Sequence, residues 1–322
     1  MKKTITIASI QMYVHQDKNK NIEQLKTHLN YLGKLLPQVK MVILPELSIS
    51  DMHCEPQKQS QKVPGQLTSL FSSLAKKHGV WLIPGSIYEK SGNNTYNTAL
   101  VFSPKGELVA KYRKRYPWYP YEKTTPGKDP IVFSIEGFGT IGLMICYDLW
   151  FPEVARDLVN LGAEVIIVPT MTTTGDRKQE QIISQATAIT QQCYLVSCNG
   201  VGYGGVGGSL IIDPDGSILQ KSGGSPFIQT AIIDFERVTM LREKGVAGVT
   251  HPWKDFWDNK ILEWEGGRYN LNTSKNKPLE MIADLVSKSL RFRLKITKEL
   301  LKPHIKGKTI IEIGCGSGLL TK

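Results

Sequence analysis

The chain has 322 residues, of which 41% are hydrophobic, and a formal net charge of +11 at pH 7. This composition is typical of a soluble globular protein that is large enough for one big domain and an appendage. The charge lies mainly in residues 275–322, where eleven Lys/Arg against four Asp/Glu give +7 and leave +4 for residues 1–274. Because no nucleic-acid-binding motif accompanies it, a solvated basic helix explains this charge better, and no nucleic-acid partner is expected.

The N-terminal sequence MKKTITIASIQM predicts a first β-strand, since its apolar alternation stops at Gln11 and no cleavage site follows it. No stretch approaches the roughly 18 apolar residues of a membrane span, so no membrane partner is expected. The five cysteines lack CxxC spacing, which predicts neither a disulfide framework nor a zinc site and indicates a reducing, cytoplasmic setting. The stretch DMHCE (51–55) is interpreted as a polar loop rather than a metal site.

Three segments of the first half recur in the same order in the second half. The pairs are VILPE (42–46) with IIVPT (166–170), WLIPGSIY (81–88) with YLVSCNGV (194–201), and LVFSPKGELV (100–109) with LIIDPDGSIL (210–219). A segment with helical spacing of apolar residues follows the first segment of each half. Each half therefore reads as strand, helix, strand and hairpin, which predicts an α/β fold with two packed sheets, a four-layer αββα sandwich with an internal pseudo-twofold. The ends of strands 42–46 and 166–170 are expected to converge and form a pocket.

The run IGLMICYDLWFP (141–152) brings Cys146 to the end of a predicted buried strand. A free cysteine in such a run is usually an inert core residue, whereas a nucleophilic one needs a base and a positive group beside it. The six histidines are scattered, so a Cys–His pair lacks support. Glu46 ends the apolar run MVILPE, where it is either a buried carboxylate that needs a partner or the first exposed residue after a strand.

The segment AKYRKRYPWYPYEKTTPG (110–127) combines prolines, aromatic rings and cations. Its prolines predict a stiff, extended loop whose rings wall a pocket and whose cations lie within reach of it. A solvated run of charges is the alternative interpretation of KYRKR.

Several motifs of the chain, taken together, resemble those of the carbon–nitrogen hydrolase (nitrilase) superfamily. In chain order they are VILPE, YRK followed by PWYPYE and TPG, and ICYDLWFPE. The resemblance covers about residues 3–270 and implies the αββα fold with a Glu–Lys–Cys triad at Glu46, Lys114 and Cys146, assisted by Glu122. The eight-residue spacing of Lys114 and Glu122 resembles the aliphatic amidase and formamidase branch. Lys111, Arg113 and Arg115 lack this carboxylate spacing.

The resemblance also implies the roles of these residues. The reaction that it implies requires no metal and no cofactor. Cys146 attacks the amide carbonyl, Glu46 carries the protons, Lys114 and the backbone N–H of Tyr147 hold the oxyanion, and Glu122 keeps Lys114 charged. The side chains expected to line the pocket are Trp118, Trp150, Met171 and Thr172. Family members commonly form dimers, so a homodimer or a higher homo-oligomer is expected.

Three departures from the family pattern bear on the substrate. Tyr147 and Asp148 stand where nitrilases usually carry Trp and Glu, which favours amides over nitriles. QATAITQQ (185–192) replaces a frequent Arg-Ala-x-Glu-Asn motif and leaves its contacts near the pocket in doubt. Trp150 stands where omega-amidase-like members often have arginine, which disfavours a dicarboxylate-derived substrate. The glycines of NGVGYGGVGGS (199–209) are interpreted as a turn beside the site rather than a phosphate loop.

The composition changes at Lys275, which predicts three parts: a hydrolase domain (1–274), a linker with a basic helix (275–308) and a final segment (309–322). In the last part, a predicted strand TIIEI precedes Gly314, Gly316 and Gly318 and resembles the first motif of S-adenosylmethionine-dependent methyltransferases. We interpret it as the truncated start of a second domain, with a C-terminal helix and strand of the hydrolase as the alternative.

The sequence thus predicts a thiol hydrolase that cleaves the C–N bond of a small amide through a cysteine thioester and releases ammonia. An N-carbamoyl amine hydrolase is the nearest alternative. A domain that binds to, or supplies ammonia to, a fused methyltransferase is the alternative from another class.

Overall fold

The computed structural model of the chain describes residues 3–52 and 54–258. The predicted linker, basic helix and methyltransferase-like segment lie outside the described residues. The strands are β1 (Thr4–Gln11), β2 (Tyr13–Val14), β3 (Val39–Ile43), β4 (Trp81–Ile83), β5 (Ser86–Ser91), β6 (Asn94–Phe102), β7 (Leu108–Arg113), β8 (Val132–Ile135), β9 (Gly139–Leu143), β10 (Val165–Thr170), β11 (Tyr194–Asn199), β12 (Val201–Gly202), β13 (Leu210–Ile212), β14 (Ile218–Lys221) and β15 (Phe227–Asp234). The helices are α1 (Lys18–Leu35), α2 (Pro56–Gln59), α3 (Gln66–His78), α4 (Pro152–Asn160), α5 (Arg177–Gln191), α6 (Phe235–Lys244) and α7 (Pro252–Asp258), with a 3₁₀ helix at Cys146–Trp150.

The described strands form two large sheets and a small two-stranded one. The first sheet has seven strands in the order β15-β1-β3-β4-β6-β5, with β7 paired to β6. The second has six strands in the order β14-β13-β11-β10-β9-β8. In each sheet three neighbouring strands run parallel, β1, β3 and β4 in one and β9, β10 and β11 in the other. The flanking hairpins are antiparallel.

Alternation along the central strands divides the core into three layers. In β3, Met41 and Ile43 belong to the apolar cluster between the two sheets, whereas Val42 packs with residues of α1 and α3. In β10, Ile167 faces the other sheet and Val168 packs with residues of α4 and α5. Because side chains alternate across a strand, each sheet buries one face on its partner and the other under helices. The predicted four-layer αββα sandwich is confirmed.

The first strand of the chain is paired on both sides. β1 lies next to β3 and pairs with β15 along its whole length, from Thr4 opposite Asp234 to Gln11 opposite Phe227. The buried Gln11 side chain also accepts a hydrogen bond from the Ser222 hydroxyl at 2.7 Å. The N-terminal sequence is therefore a central element of the first sheet, as its alternation predicted.

The two halves repeat each other as predicted, with local differences at the catalytic motifs. β3, α3, β4 and the β6–β7 hairpin correspond to β10, α5, β11 and the β13–β14 hairpin. The backbone N–H of Glu46 donates to Thr170 O at 3.3 Å, so the ends of β3 and β10 meet. β9 ends at Leu143, so Cys146 follows the strand instead of ending it. Residues Lys111–Arg113 of the predicted loop are the end of β7.

No helix in the described part of the chain combines the length and hydropathy that crossing a membrane requires.

Candidate active site

Cys146 lies at a sharp turn beyond the end of β9. It is the first residue of the 3₁₀ helix and has a φ of +47°, a conformation that costs a non-glycine residue about 1–2 kcal/mol. Its Sγ lies 3.9 Å from Thr172 Oγ1. The residue as a whole is half-buried and belongs to the wall of a cavity, so the turn brings the thiol out of the strand to the edge of the core.

Glu46 follows β3 and is buried, with 2% of its surface exposed. Its Oε1 accepts from Lys114 Nζ at 2.8 Å and from Asn97 Nδ2 at 2.7 Å. The next residue, Leu47, has a φ of +50°, so the chain turns sharply directly after the carboxylate. Of the two interpretations of Glu46, the structure shows the buried carboxylate with a partner.

Lys114 follows the last residue of β7 and is as buried as Glu46. Its Nζ lies 2.8 Å from Glu46 Oε1 and 2.6 Å from Glu122 Oε2. Its backbone is fixed on both sides, because its N–H donates to Asn97 O at 2.8 Å and its carbonyl accepts from Gly127 N at 2.7 Å. Glu122 also accepts from the backbone N–H of Trp118 at 3.0 Å. The loop therefore holds the ammonium between two carboxylates.

The charges of this group are mutually dependent. Burial raises the pKa of Glu46, although Lys114 acts in the opposite direction. Burial alone would lower the pKa of Lys114, but Glu46 and Glu122 together raise it well above its ordinary value, so the amine is an ammonium. Burial would raise the pKa of Glu122, but the attraction of Lys114 lowers it. Burial and the Glu46 carboxylate raise the pKa of the Cys146 thiol, which is therefore protonated at rest.

These residues face a cavity of about 320 Å³. Its walls include Tyr147, the expected oxyanion donor, and three of the residues expected to line the pocket, Trp118, Met171 and Thr172. Trp150, which was also expected to line the pocket, is not among the residues of this cavity wall. Its indole N–H points to Glu180 Oε1 at 3.4 Å, so the ring lies behind a carboxylate that itself forms the wall. The loop after Glu46, interpreted as merely polar, also contributes Asp51, Met52 and Cys54 to the wall.

A second buried charge pair supports the other side of the thiol. Thr172 Oγ1 donates to Glu180 Oε2 at 2.5 Å, and Arg177 Nη1 donates to the same oxygen at 3.0 Å. Arg177 also donates to the carbonyls of Gly207 and Gly208, so the glycine turn lies beside the site as predicted. The sequence reasoning missed Arg177 and Glu180, whose signal is two charges three positions apart at the start of α5.

Asn97 is a further residue that the sequence reasoning missed. It is fully buried in β6 and its Nδ2 donates to both Glu46 Oε1 and Glu122 Oε1, each at 2.7 Å. One amide group thus connects the two carboxylates that share Lys114. The available signal was an asparagine, a residue disfavoured in strands, within the alternating run NTYNTALVF.

The other cations of the KYRKR motif also have carboxylate partners. Lys111 and Arg113 both bind Glu89 at 2.8 Å, and Arg115 binds Asp157 at 2.7 Å. They are neither a solvated run nor part of the cavity wall. Lys114 differs from them in being buried between two carboxylates.

Among the described residues, no group of three or more His, Cys, Asp or Glu side chains is arranged to hold a metal ion.

An αββα sandwich in which a cysteine, a lysine and two glutamates lie around one cavity defines a protein of the nitrilase fold. The sequence model of the carbon-nitrogen hydrolase family matches residues 6–243, and the chain belongs to this family of enzymes.

The chain is similar to several characterised relatives. It is 28% identical to omega-amidase NIT2 of Danio rerio over 256 residues, which cover 74% of this chain and 91% of the relative. It is 30% identical to a formamidase of Bacillus cereus (strain G9842) over 221 residues, 66% of each protein. Among solved structures, it is similar to Saccharomyces cerevisiae Nit3 (TM-score 0.68, 26% identity, 74% of this chain and 93% of the other). The carbon-nitrogen hydrolase of Helicobacter pylori G27 is similar as well (TM-score 0.68, 28% identity, 81% and 97%).

Proposed function

We propose that this carbon–nitrogen hydrolase is an amidase that hydrolyses a small, linear amide without a second carboxylate, through a thioester on Cys146. The observation that carries the proposal is the position of the Lys114 ammonium. It has three N–H donors, of which two are directed to Glu46 and Glu122, so the third remains for an oxyanion. A positive donor fixed in a dry site stabilises a developing oxyanion strongly.

The reaction begins with a neutral thiol, because the pKa of Cys146 is raised. Glu46, whose raised pKa suits a proton carrier, takes the thiol proton as Sγ bonds to the amide carbon. The electron pair of the C=O bond moves to oxygen, where Lys114 and the backbone N–H of Tyr147 hold it. Glu46 then gives its proton to the amide nitrogen, the C–N bond breaks, and ammonia leaves a thioester on Cys146.

The second half of the reaction uses the same groups. Glu46 takes a proton from a water molecule as its oxygen attacks the thioester carbon, and the oxyanion forms again beside Lys114. When the C–S bond breaks, the proton held by Glu46 returns to sulfur and the carboxylic acid leaves. Glu122 and Asn97 hold Lys114 and Glu46 in place through both halves.

The charge of the cavity wall supports the choice of substrate. Among the described residues that line the cavity, the one cation is Lys114, which two carboxylates already neutralise, while Asp51 and Asp176 add negative charge. A substrate with a free carboxylate would therefore meet no available cation in this wall. The similarity to an omega-amidase and to a formamidase is compatible with amide hydrolysis in either case.

The test is a screen for ammonia release. We expect activity on formamide and on aliphatic amides of two to four carbons, weaker activity on the matched amide that carries a second carboxylate, and none on the matched nitrile. N-carbamoyl amines are included with detection of the freed amine, which identifies the alternative function. Preference for the carboxylate-bearing amide would contradict the proposed substrate.

The nucleophile is tested by trapping the thioester. A slow substrate is expected to leave its acyl mass on the peptide that contains Cys146, and Cys146→Ala is expected to abolish both the adduct and turnover. Cys193→Ala, at a buried thiol among residues packed under the helices of the second sheet, is the matched control and is expected to retain turnover. An adduct on another cysteine would contradict the assignment.

We also propose that residues 1–274 form the complete hydrolase domain, since the composition changes at Lys275. A chain that ends at residue 274 is then expected to fold and to release ammonia at the wild-type rate. The methyltransferase-like start at 309–322 is supported by its sequence motif alone, and the full chain is expected not to bind S-adenosylmethionine in calorimetry.

The expected homodimer or higher homo-oligomer and the cytoplasmic setting are likewise proposals. The first is supported by the resemblance to the family and is tested by light scattering. The second is supported by the free state of the four described cysteines.

A further inference from the structure

Asp148 is a buried carboxylate that no step of the reaction uses. It lies two residues after Cys146 in the 3₁₀ helix, is fully buried, and is not among the residues that line the cavity. Its two oxygens accept four hydrogen bonds from neutral donors. Oδ2 accepts from Ile145 N at 3.0 Å and from Tyr112 Oη at 2.7 Å. Oδ1 accepts from Arg115 N at 3.1 Å and from Tyr116 N at 2.8 Å.

The four donors belong to the two segments that carry the proposed catalytic groups. Ile145 immediately precedes Cys146. Tyr112 lies two residues before Lys114, and the N–H groups of Arg115 and Tyr116 come directly after it. The lysine follows β7 of the first sheet, and the cysteine follows β9 of the second. One carboxylate therefore connects the lysine segment to the cysteine turn across the junction between the sheets.

We infer that Asp148 is a positioning residue that fixes the Lys114 ammonium relative to the Cys146 thiol. Its role rests on the proposed functions of these two groups. A catalytic cation must lie where the oxyanion forms, and a misplacement of about 1 Å can cost about 100-fold in rate. Because Lys114 and Cys146 come from different sheets, their relative position depends on contacts that join the sheets at this point. Asp148 supplies three of them, from Tyr112, Arg115 and Tyr116, and its fourth bond, from Ile145, fixes it to the cysteine turn.

Aspartate suits this position because of its acceptor capacity. An ionised carboxylate offers acceptors on both oxygens, whereas asparagine offers one carbonyl oxygen and an NH₂ group. In Asp148→Asn, the NH₂ group would face either the N–H of Ile145 or the N–H groups of Arg115 and Tyr116. The first orientation loses the bond that fixes residue 148 to the cysteine turn, and the second loses both bonds from the backbone after Lys114. Burial raises the pKa of Asp148 to about 6, so the carboxylate is ionised above that pH and accepts all four bonds.

The test compares Asp148→Asn with a matched buried aspartate elsewhere. Asp213 accepts from the backbone N–H of Asp215 in the β13–β14 turn and binds Arg237, away from the cavity wall. At pH 8 and 25 °C, with folding checked by near-ultraviolet circular dichroism, we expect Asp148→Asn to lower kcat about 10-fold to 100-fold and to change KM less than about threefold. Asp213→Asn is expected to lower the melting temperature and to leave kcat unchanged.

A second variant keeps the test decisive where Asp148→Asn fails to fold. Tyr112→Phe removes one of the four donors and retains the fully buried ring. It is expected to fold and to lower kcat about threefold to tenfold. A folded Asp148→Asn with kcat within about threefold of wild type would overturn the inference. Where that variant does not fold, an unchanged kcat in Tyr112→Phe would overturn it.

Failure of this inference is distinct from failure of the proposed function. Lys114→Met and Cys146→Ala are measured in the same assay. If both lose turnover while folded Asp148→Asn keeps it, Asp148 is a purely structural group and the proposed function stands. If Lys114→Met keeps turnover, the proposed function itself is wrong.

Discussion

Two clusters of carboxylates and cations show how burial and the number of charged groups affect the pKa of a carboxylate. The cations of the first cluster lie on β7, and the cation of the second follows β7 directly. Glu89 is bound by Lys111 and Arg113, whose side chains are 36% and 30% exposed. Lys114, the residue after Arg113, is 2% exposed and lies between Glu46 and Glu122. The first cluster has two partly exposed cations around one buried carboxylate, whereas the second has one buried cation for two carboxylates.

The two arrangements move the pKa of the central carboxylate in opposite directions. Burial would raise the pKa of Glu89, but hydrogen bonds from Arg113, Lys111 and Thr98 lower it to about 2. Burial dominates at Glu46 and raises its pKa, because the single lysine is shared with Glu122. Glu89 is thus ionised at neutral pH and serves as a structural partner, whereas the raised pKa of Glu46 suits its proposed role as a proton carrier. An excess of carboxylate in a buried site therefore raises the pKa of a carboxyl group, and an excess of cation around a buried carboxylate lowers it.

Replacing the two glutamates is expected to give the largest contrast. Glu46→Gln removes the proton carrier and is expected to lower kcat by about 100-fold to 10,000-fold, because an amide side chain cannot transfer the proton in either half of the reaction. Glu89→Gln is the matched control and is expected to keep kcat. Steady-state ammonia release measures both. A Glu46→Gln enzyme with more than about a tenth of wild-type turnover would remove Glu46 from the role of base.

Replacing the two lysines is expected to give the next largest contrast. Lys114→Met removes the charged donor to the oxyanion and is expected to cost about 100-fold to 1,000-fold in turnover, or roughly 3 kcal/mol or more of transition-state stabilisation. Lys111→Met is expected to stay near wild type, since its partner Glu89 lies outside the cavity wall.

Lys114→Arg is expected not to restore turnover, because a planar guanidinium does not fit the space between two carboxylates that a compact ammonium fills. Circular dichroism confirms folding of each variant first. Turnover above about a tenth of wild type in folded Lys114→Met would mean that another cation serves the oxyanion.

The smallest expected effect concerns stability. Glu89→Gln is expected to lower the free energy of unfolding by about 2 kcal/mol, since it leaves two partly exposed cations without their carboxylate. The folded-state pKa of Glu89, about 2, lies below its ordinary value. The Glu89 carboxylate therefore contributes fully to the free energy of unfolding above the pKa of the unfolded state. This contribution is lost as pH falls from about 4.5 towards 2. Urea unfolding at pH 7 and at pH 3 is expected to show a smaller difference between wild type and variant at pH 3.

Much of the fold and the four catalytic candidates were predictable, because both depend on local patterns. The spacing of apolar residues predicted a helix after the first segment of each half, where α3 and α5 lie, and the repeated segments predicted two equivalent halves. The motifs around Glu46, Lys114 and Cys146 are contiguous stretches, so their resemblance to a family was visible in one sequence.

The parts that were missed depend on contacts between distant segments. Asn97 binds two carboxylates that are 51 and 25 residues away in the chain, and the sequence of its own strand indicates neither partner. Lys111 and Arg113 lie on one face of β7, but their partner is more than 20 residues earlier. The position of Trp150 also depends on a distant residue. Its indole N–H donates to Glu180, which is 30 residues later in the chain and is itself part of the cavity wall.

The pairing of β1 with β15 has a consequence for the synthesis of the protein on the ribosome. Among the described strands β1 is synthesised before all others, yet its outer neighbour is encoded more than 200 residues later. Until β15 has left the exit tunnel, a folded β1 has a row of unpaired N–H and C=O groups on one edge, which is the kind of edge that promotes misassociation. The first sheet is therefore completed only near the end of translation of the family domain.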